Sequence, residues 1–133
     1  MWFSVRSRCS RFFELASPEA FNTQKLTFEP SVKIGGRKKL TVAFRYLGIS
    51  FFELTTGNGT KILIDPCITK NTLCPITIDD VIDVDLILVT HGAPDHMGDA
   101  LEIQKKTGAT LVSDAAVKAH AIRMGVDKDK VIS

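Results

Sequence analysis

Thr90-His91-Gly92-Ala93-Pro94-Asp95-His96-Met97-Gly98-Asp99 follows four consecutive aliphatic residues, 86–89, and precedes a stretch with helical spacing. Two imidazoles and two carboxylates therefore crowd a strand-to-helix loop, the kind of connection that carries binding and catalytic groups on a rigid scaffold. Zinc-like cations take His nitrogen and Asp oxygen, and a catalytic site keeps one position open. On spacing alone two readings fit this loop. His91, Asp95 and His96 converge on a metal ion, or Asp95 caps the start of the following helix and the histidines are surface residues.

Outward from the loop the chain reads as α/β. The aliphatic run 86–89 has the pattern of a strand buried on both faces. Upstream of it, Val42, Phe44 and Tyr46 alternate with smaller or polar neighbours, as a half-buried strand requires. Residues 50–56 form a second strand with Phe52 and Leu54 on one face. Gly57-Asn58-Gly59 supplies a hairpin turn, because Gly and Asn tolerate the positive φ it needs. Residues 61–64 form a third strand, ending in Asp65-Pro66, so an antiparallel meander is expected. Thr77 is a candidate N-cap, with Asp79 and Asp80 in the first turn of a short helix bearing Ile78, Val81 and Ile82.

Downstream, residues 98–106 read as a helix with Lys105 and Lys106 in its last turn and Gly108 as its stop. Residues 109–112 are a strand. Residues 114–124 are a helix capped by Ser113 or Asp114 and stopped by Gly125. Val131-Ile132 opens a further strand. The expected architecture is an antiparallel meander followed by strand–helix units.

At 133 residues, with 44% hydrophobic and 24% charged residues, the composition is that of one globular domain. No apolar run approaches the roughly 20 residues that span a bilayer, so no transmembrane helix is expected. The formal charge of +2 is unevenly spread: residues 1–45 carry nine Lys and Arg against three Glu. No zinc finger, RNA-binding aromatic motif or basic helical stripe accompanies that basic head, and nucleic acid is not an expected partner. Three cysteines, Cys9, Cys67 and Cys74, form no C-x-x-C pair, which favours a reducing, intracellular location over a disulfide framework.

Residues 1–13 hold Arg6, Arg8, Arg11 and three serines, with no acid before Glu14. This composition fits an organellar transit peptide, for mitochondrion or plastid, and equally a basic tail on a cytoplasmic protein. Pro18, Pro30 and Gly35-Gly36 punctuate an irregular stretch that closes on Arg37-Lys38-Lys39. Residues 1–39 are thus read as an extension and residues 40–133 as the domain.

Several pieces in order carry a family resemblance. They are Tyr46-Leu47-Gly48 with Ser50-Phe51, Ile62-Leu63-Ile64-Asp65-Pro66, Val84-Asp85-Leu86-Ile87-Leu88-Val89, and the 90–99 loop itself, followed by Glu102-Ile103 and Lys106-Thr107-Gly108-Ala109. Together they resemble the N-terminal half of the metallo-β-lactamase superfamily and its H-x-H-x-D-H loop. The similarity is to a branch of uncharacterised metal-dependent hydrolases close to the ascorbate-6-phosphate lactonases. That resemblance implies an αβ/βα sandwich and hydrolysis of an ester, lactone, amide or phosphoester bond in a small molecule, by water activated at zinc or manganese. Carried over by position, His91 is a ligand of a first metal. Asp95 and His96 are ligands of a second, with Asp95 also orienting the attacking water. Asp65 and Asp99 support the ligands from behind.

The chain departs from the pattern at three points. The family's second histidine is Ala93, whose methyl group coordinates nothing. Later histidine ligands and a bridging aspartate belong to a half beyond this sequence, and His120 lies in a helix without ligand spacing. Ile49 stands where related sequences often carry histidine. The expectation is therefore one ion rather than two, or none, and little hydrolysis by this chain alone. A non-catalytic binding or scaffold relative, and a truncated product without its own function, are the competing readings.

Overall fold

The computed structural model describes residues 26–28 and 42–133. Seven strands form one sheet in sequential order: β1 (Leu26–Phe28), β2 (Val42–Tyr46), β3 (Phe52–Thr56), β4 (Lys61–Ile64), β5 (Leu86–Val89), β6 (Thr110–Ser113) and β7 (Val131–Ile132). β1 to β4 pair antiparallel, as the meander reading expected, and β4 to β7 pair parallel. The change of sense follows from the connections. The loops of five and four residues joining β2 to β3 and β3 to β4 only reverse the chain, whereas the long crossovers after β4 return it in the same direction. Among the described residues the helices are α1 (Pro94–Met97), α2 (Ala100–Thr107) and α3 (Ala115–Arg123), and 3-10 turns cover Ile78–Asp80 and Lys128–Lys130.

Three expectations change. Leu26–Phe28, inside the stretch read as irregular, is a strand that adds an edge to β2; three residues carry too little pattern to be seen between turn formers. The run at 94–107 is two helices broken at Gly98-Asp99 rather than one from Gly98. Finally, β5 is buried on one face only. Ile87 and Val89 are buried while Leu86 and Leu88 are half-buried, so four aliphatic residues in a row did not imply two covered faces. The proposed transit segment lies outside the described residues.

The core lies on the face that carries Leu63, Ile87, Val89, Leu111 and Val131, where Ala100 and Ile103 of α2 and Val117 and Ala121 of α3 pack. Ile87 and Leu111 are fully enclosed, and a side chain buried to that degree contributes about 1.5–3 kcal/mol. Leu47 and Phe51, flanking the β2–β3 turn, extend the same core.

Buried Asn71 ties that turn to the β4–β5 loop: its amide donates to the carbonyls of Leu47 (3.0 Å) and Cys67 (3.1 Å) and its oxygen accepts from Leu73 N–H (3.0 Å). Gly48, at φ +98, lies against it. A Cβ there would come within 2.9 Å of the Asn71 side chain, so the turn admits only glycine.

Candidate metal centre

The 90–99 loop leaves the C-terminal end of β5 beside the end of β4, which places Asp65 directly under Thr90. Asp65 is 3% exposed and adopts φ 48, a conformation unusual for a non-glycine residue and one that persists only when its surroundings hold it. What holds it is a set of three donors. Thr90 N–H donates to Oδ1 at 2.8 Å, and the Thr90 hydroxyl donates to Oδ2 at 2.8 Å. His96 Nδ1 lies 2.8 Å from the same Oδ2. An ionised carboxylate only accepts, so His96 carries its proton on Nδ1 and turns the Nε2 lone pair outward. The Thr90 oxygen, its own proton given to Asp65, lies 3.1 Å from His91 Nδ1 and accepts from it. Both rings are thereby fixed with Nε2 facing out, their centroids 4.1 Å apart.

His96 Nε2 sits 3.7 Å from Asp95 Oδ2. Two donors that each stand roughly 2.0–2.2 Å from one zinc ion are separated by this order of distance. The pair therefore fits a shared cation. The fit stops at two donors: among the described residues no three His, Cys, Asp or Glu side chains are grouped to hold an ion. Ala93, the α1 N-cap, is half-buried, and its methyl group offers no donor.

The capping reading of Asp95 finds no support, because no backbone N–H donates to its exposed carboxylate among the described residues, whereas Asp114 does cap α3 through Val117 N–H at 2.7 Å. His120 is half-buried on α3.

Asp99 does not face the two rings. Its Oδ2 accepts from Ile68 N–H (2.6 Å) and Thr69 N–H (2.9 Å), the Thr69 hydroxyl donates to Oδ1, and its own N–H donates to the Pro66 carbonyl at 2.8 Å. It clasps the segment after Asp65 to the ligand loop. Gly98 makes the clasp feasible: at φ 38, a Cβ there would lie 2.6 Å from the Pro66 carbonyl oxygen. Between them, Cys67 is packed away, and burial, then the negative charge of Asp99, push its thiol up from 9.0.

The sequence reading missed two contributors. Thr90 is the hub of the Asp65–His91–His96 network, and its β-branched hydroxyl at a strand end was the available signal. Ser50 donates to the Asp95 carbonyl at 2.7 Å, fastening the β2–β3 turn to the loop. Ile49 beside it is exposed at φ 54, a strained state for a β-branched residue and one that histidine adopts more readily. A concavity of about 300 Å³ elsewhere, among Arg45, Glu53, Lys61 and Val84, contains none of the loop residues.

The chain is similar to known proteins along much of its length. A metal-dependent hydrolase of Methanosphaera stadtmanae is 43% identical over 82 residues, covering 62% of this chain and 35% of the relative. One from Heliobacterium modesticaldum is 47% identical over 81 residues, covering 61% and 33%. Among solved structures, Igni18, a metallo hydrolase from Ignicoccus hospitalis, superposes with a TM-score of 0.58 at 38% identity over 63% of this chain and 36% of its own. A Parabacteroides distasonis protein shares the fold at a TM-score of 0.57 and 17% identity, over 75% of this chain and 40% of its own. The chain thus spans about a third of the length of its curated relatives. Residues 49–130, more than half of the chain, match the superfamily itself, and the chain belongs to the metallo-beta-lactamase superfamily.

Proposed function

We propose that the 90–99 loop is one part of the metal site of a metal-dependent hydrolase acting on an ester, lactone or phosphoester bond of a small molecule. The observation that carries this reading is the tautomer lock. Asp65 and Thr90 fix His96 with Nε2 outward, 3.7 Å from Asp95 Oδ2. A carboxylate behind a histidine is the arrangement that orients a ligand and raises its basicity.

In this reading His96 and Asp95 hold the ion, zinc or manganese, and His91 is a further donor whose ring packs against that of His96, centroids 4.1 Å apart. Once bound, such an ion lowers the pKa of water and polarises the scissile group. The exposed Asp95 carboxylate also orients the attacking water, while Asp65 and Asp99 act from behind, the one on His96 and the other on the segment that follows Asp65. Ala93 supports a second reading, a relative that keeps the fold as a binding module. The loss of one local donor lowers affinity wherever the remaining ligands come from.

Calorimetric titration of the 133-residue chain with zinc and with manganese separates these. The expected result is weak binding, abolished by His96→Ala and strengthened at least tenfold by Ala93→His. Binding unaffected by His96→Ala would refute the site. A tight stoichiometric site in the unmodified chain would refute its incompleteness.

A further inference from the structure

Ser50 Oγ donates to the Asp95 carbonyl at 2.7 Å, between residues 45 apart in the chain. That carbonyl needs an outside donor for a local reason. α1 is four residues long, a single turn. In a longer helix the N–H four residues on would donate to Asp95. Here Gly98, at φ 38, turns the chain away, and the Asp99 N–H donates to the Pro66 carbonyl instead. One turn of helix is also too short to hold itself, because its nucleus fixes several residues for one hydrogen bond.

The peptide unit held in this way is the one that joins Asp95 to His96. It is planar, and both of its ends are hydrogen-bonded. The His96 N–H donates to the Ala93 carbonyl at 3.0 Å, and the Asp95 oxygen accepts from Ser50. The two side chains leave that plate from adjacent Cα atoms, so its tilt sets the spread between Asp95 Oδ2 and His96 Nε2, 3.7 Å apart. The His96 ring has a tether of its own, to Asp65 at 2.8 Å. Among the described residues no hydrogen bond reaches the Asp95 carboxylate, so the backbone alone aims it.

We infer that Ser50 is the positioning residue of this pair: its hydroxyl holds the Asp95–His96 peptide so that carboxylate and imidazole converge on one cation. The inference rests on the reading of the loop as part of a metal site. The mount of Ser50 is rigid enough for the task. Leu47 and Phe51, on either side of the turn, are buried in the core. Leu47 N–H donates to the Phe51 carbonyl and Phe51 N–H to the Gly48 carbonyl, both at 2.9 Å. The Tyr46 hydroxyl donates to the Ile49 carbonyl at 3.0 Å. Ile49 keeps φ 54 inside this frame, a state that persists only where the surroundings over-determine it. The Asn71 amide joins Leu47 of the turn to Cys67, next to the Ile68 and Thr69 amides that Asp99 clasps. The loop's two anchors, at Asp95 and Asp99, therefore share one support.

Zinc titration of the 133-residue chain followed by amide NMR, together with hydrogen exchange, tests it. Ser50→Ala is expected to weaken zinc binding about tenfold, the loss typical of a group that orients a ligand from behind. Exchange at the His96 and Met97 amides should quicken roughly fivefold, the equivalent of one hydrogen bond. The Ile87 and Leu111 amides and the melting temperature should stay as in the parent. Ser50→Thr, which keeps the hydroxyl, should restore both readouts. Should Ser50→Ala fail to fold, Ser50→Cys takes its place, with a side chain of similar shape and only a weak donor. A variant without the hydroxyl that binds zinc as tightly as the parent overturns the inference, even if α1 exchanges faster, because Asp95 is then aimed without Ser50. A loss that Ser50→Thr does not restore also overturns it. If the parent binds no zinc, the metal reading itself fails and exchange decides alone. Quickening confined to α1 then keeps Ser50 as the holder of the Asp95–His96 peptide, and unchanged exchange overturns that role too.

Discussion

At the scale of single residues, Thr90 and Gly98 decide whether the loop keeps its shape. Thr90 gives Asp65 two of its three hydrogen bonds, one from the backbone and one from the hydroxyl. Thr90→Val removes the second and leaves a buried carboxylate short of a donor, a change that costs about 1–3 kcal/mol. Urea unfolding should show that loss as a lower midpoint with an unchanged slope, and the His91 and His96 ring resonances should lose their single-tautomer signature. Gly98→Ala places a methyl group 2.6 Å from the Pro66 carbonyl oxygen at a positive φ. The expected cost is about 1–3 kcal/mol of backbone strain plus the clash. Gly59→Ala is the matched control, since φ is again positive at +92 but no atom lies within 4 Å. It should destabilise less, and equal losses at the two sites would show that the Pro66 contact has no part in the effect.

At the scale of elements, the short 3-10 turn Ile78–Asp80 depends on a local carboxylate. Thr77 N–H and hydroxyl both donate to Asp80 Oδ2 at 2.8 Å. The backbone hydrogen bond first, then the hydroxyl, hold the Asp80 carboxyl below its ordinary 3.8. A depressed carboxyl pKa gives a contribution that is fully present above 3.8 and is lost as pH falls through the lower folded value. Carboxyl-carbon NMR should therefore show Asp80 titrating below 3.8, with the Thr77 amide shift following it, and Asp80→Asn should remove that coupled transition. If the Thr77 amide is indifferent to pH across that range, the capping account fails. The same chemistry recurs in Asp114 at the start of α3, which is why side-chain type predicted both element starts.

At the scale of the whole molecule, the sheet is stabilised from its middle. β5 pairs on both sides with parallel neighbours and carries Ile87 and Val89 into the core, whereas β1 and β7 are edges of three and two residues. Hydrogen exchange should accordingly be slowest at β5 and at Leu63 and Leu111 beside it, and fastest at β1 and β7. Uniform protection across the seven strands would contradict this gradient. The clasp of Asp99 onto Ile68 and Thr69 joins the β4 end to the ligand loop, so exchange at those two amides should follow the central strands rather than the other loops.

Strand and helix identity, the antiparallel meander and the polar loop were legible in residues 40–133, because each rests on local patterns: alternation in β2 and β3, Gly57-Asn58-Gly59 between β3 and β4, and capping carboxylates. The family resemblance was legible for the same reason, being carried by short ordered motifs. Other features depended on contacts far apart in the chain. The three-residue β1 exists through pairing with β2, and which face of β5 is the more deeply buried shows only when the helices are seen to lie on one side. The choice between Asp95 as cap and Asp95 as candidate ligand turned on where its carboxylate points in space. The lock on His96 joins residues 65, 90 and 96, and no spacing rule links Asp65 to the other two. By itself the sequence determined the elements and the chemistry available at the loop. Tertiary structure decided which of those groups meet, because hydrogen bonds and burial depend on distance in space.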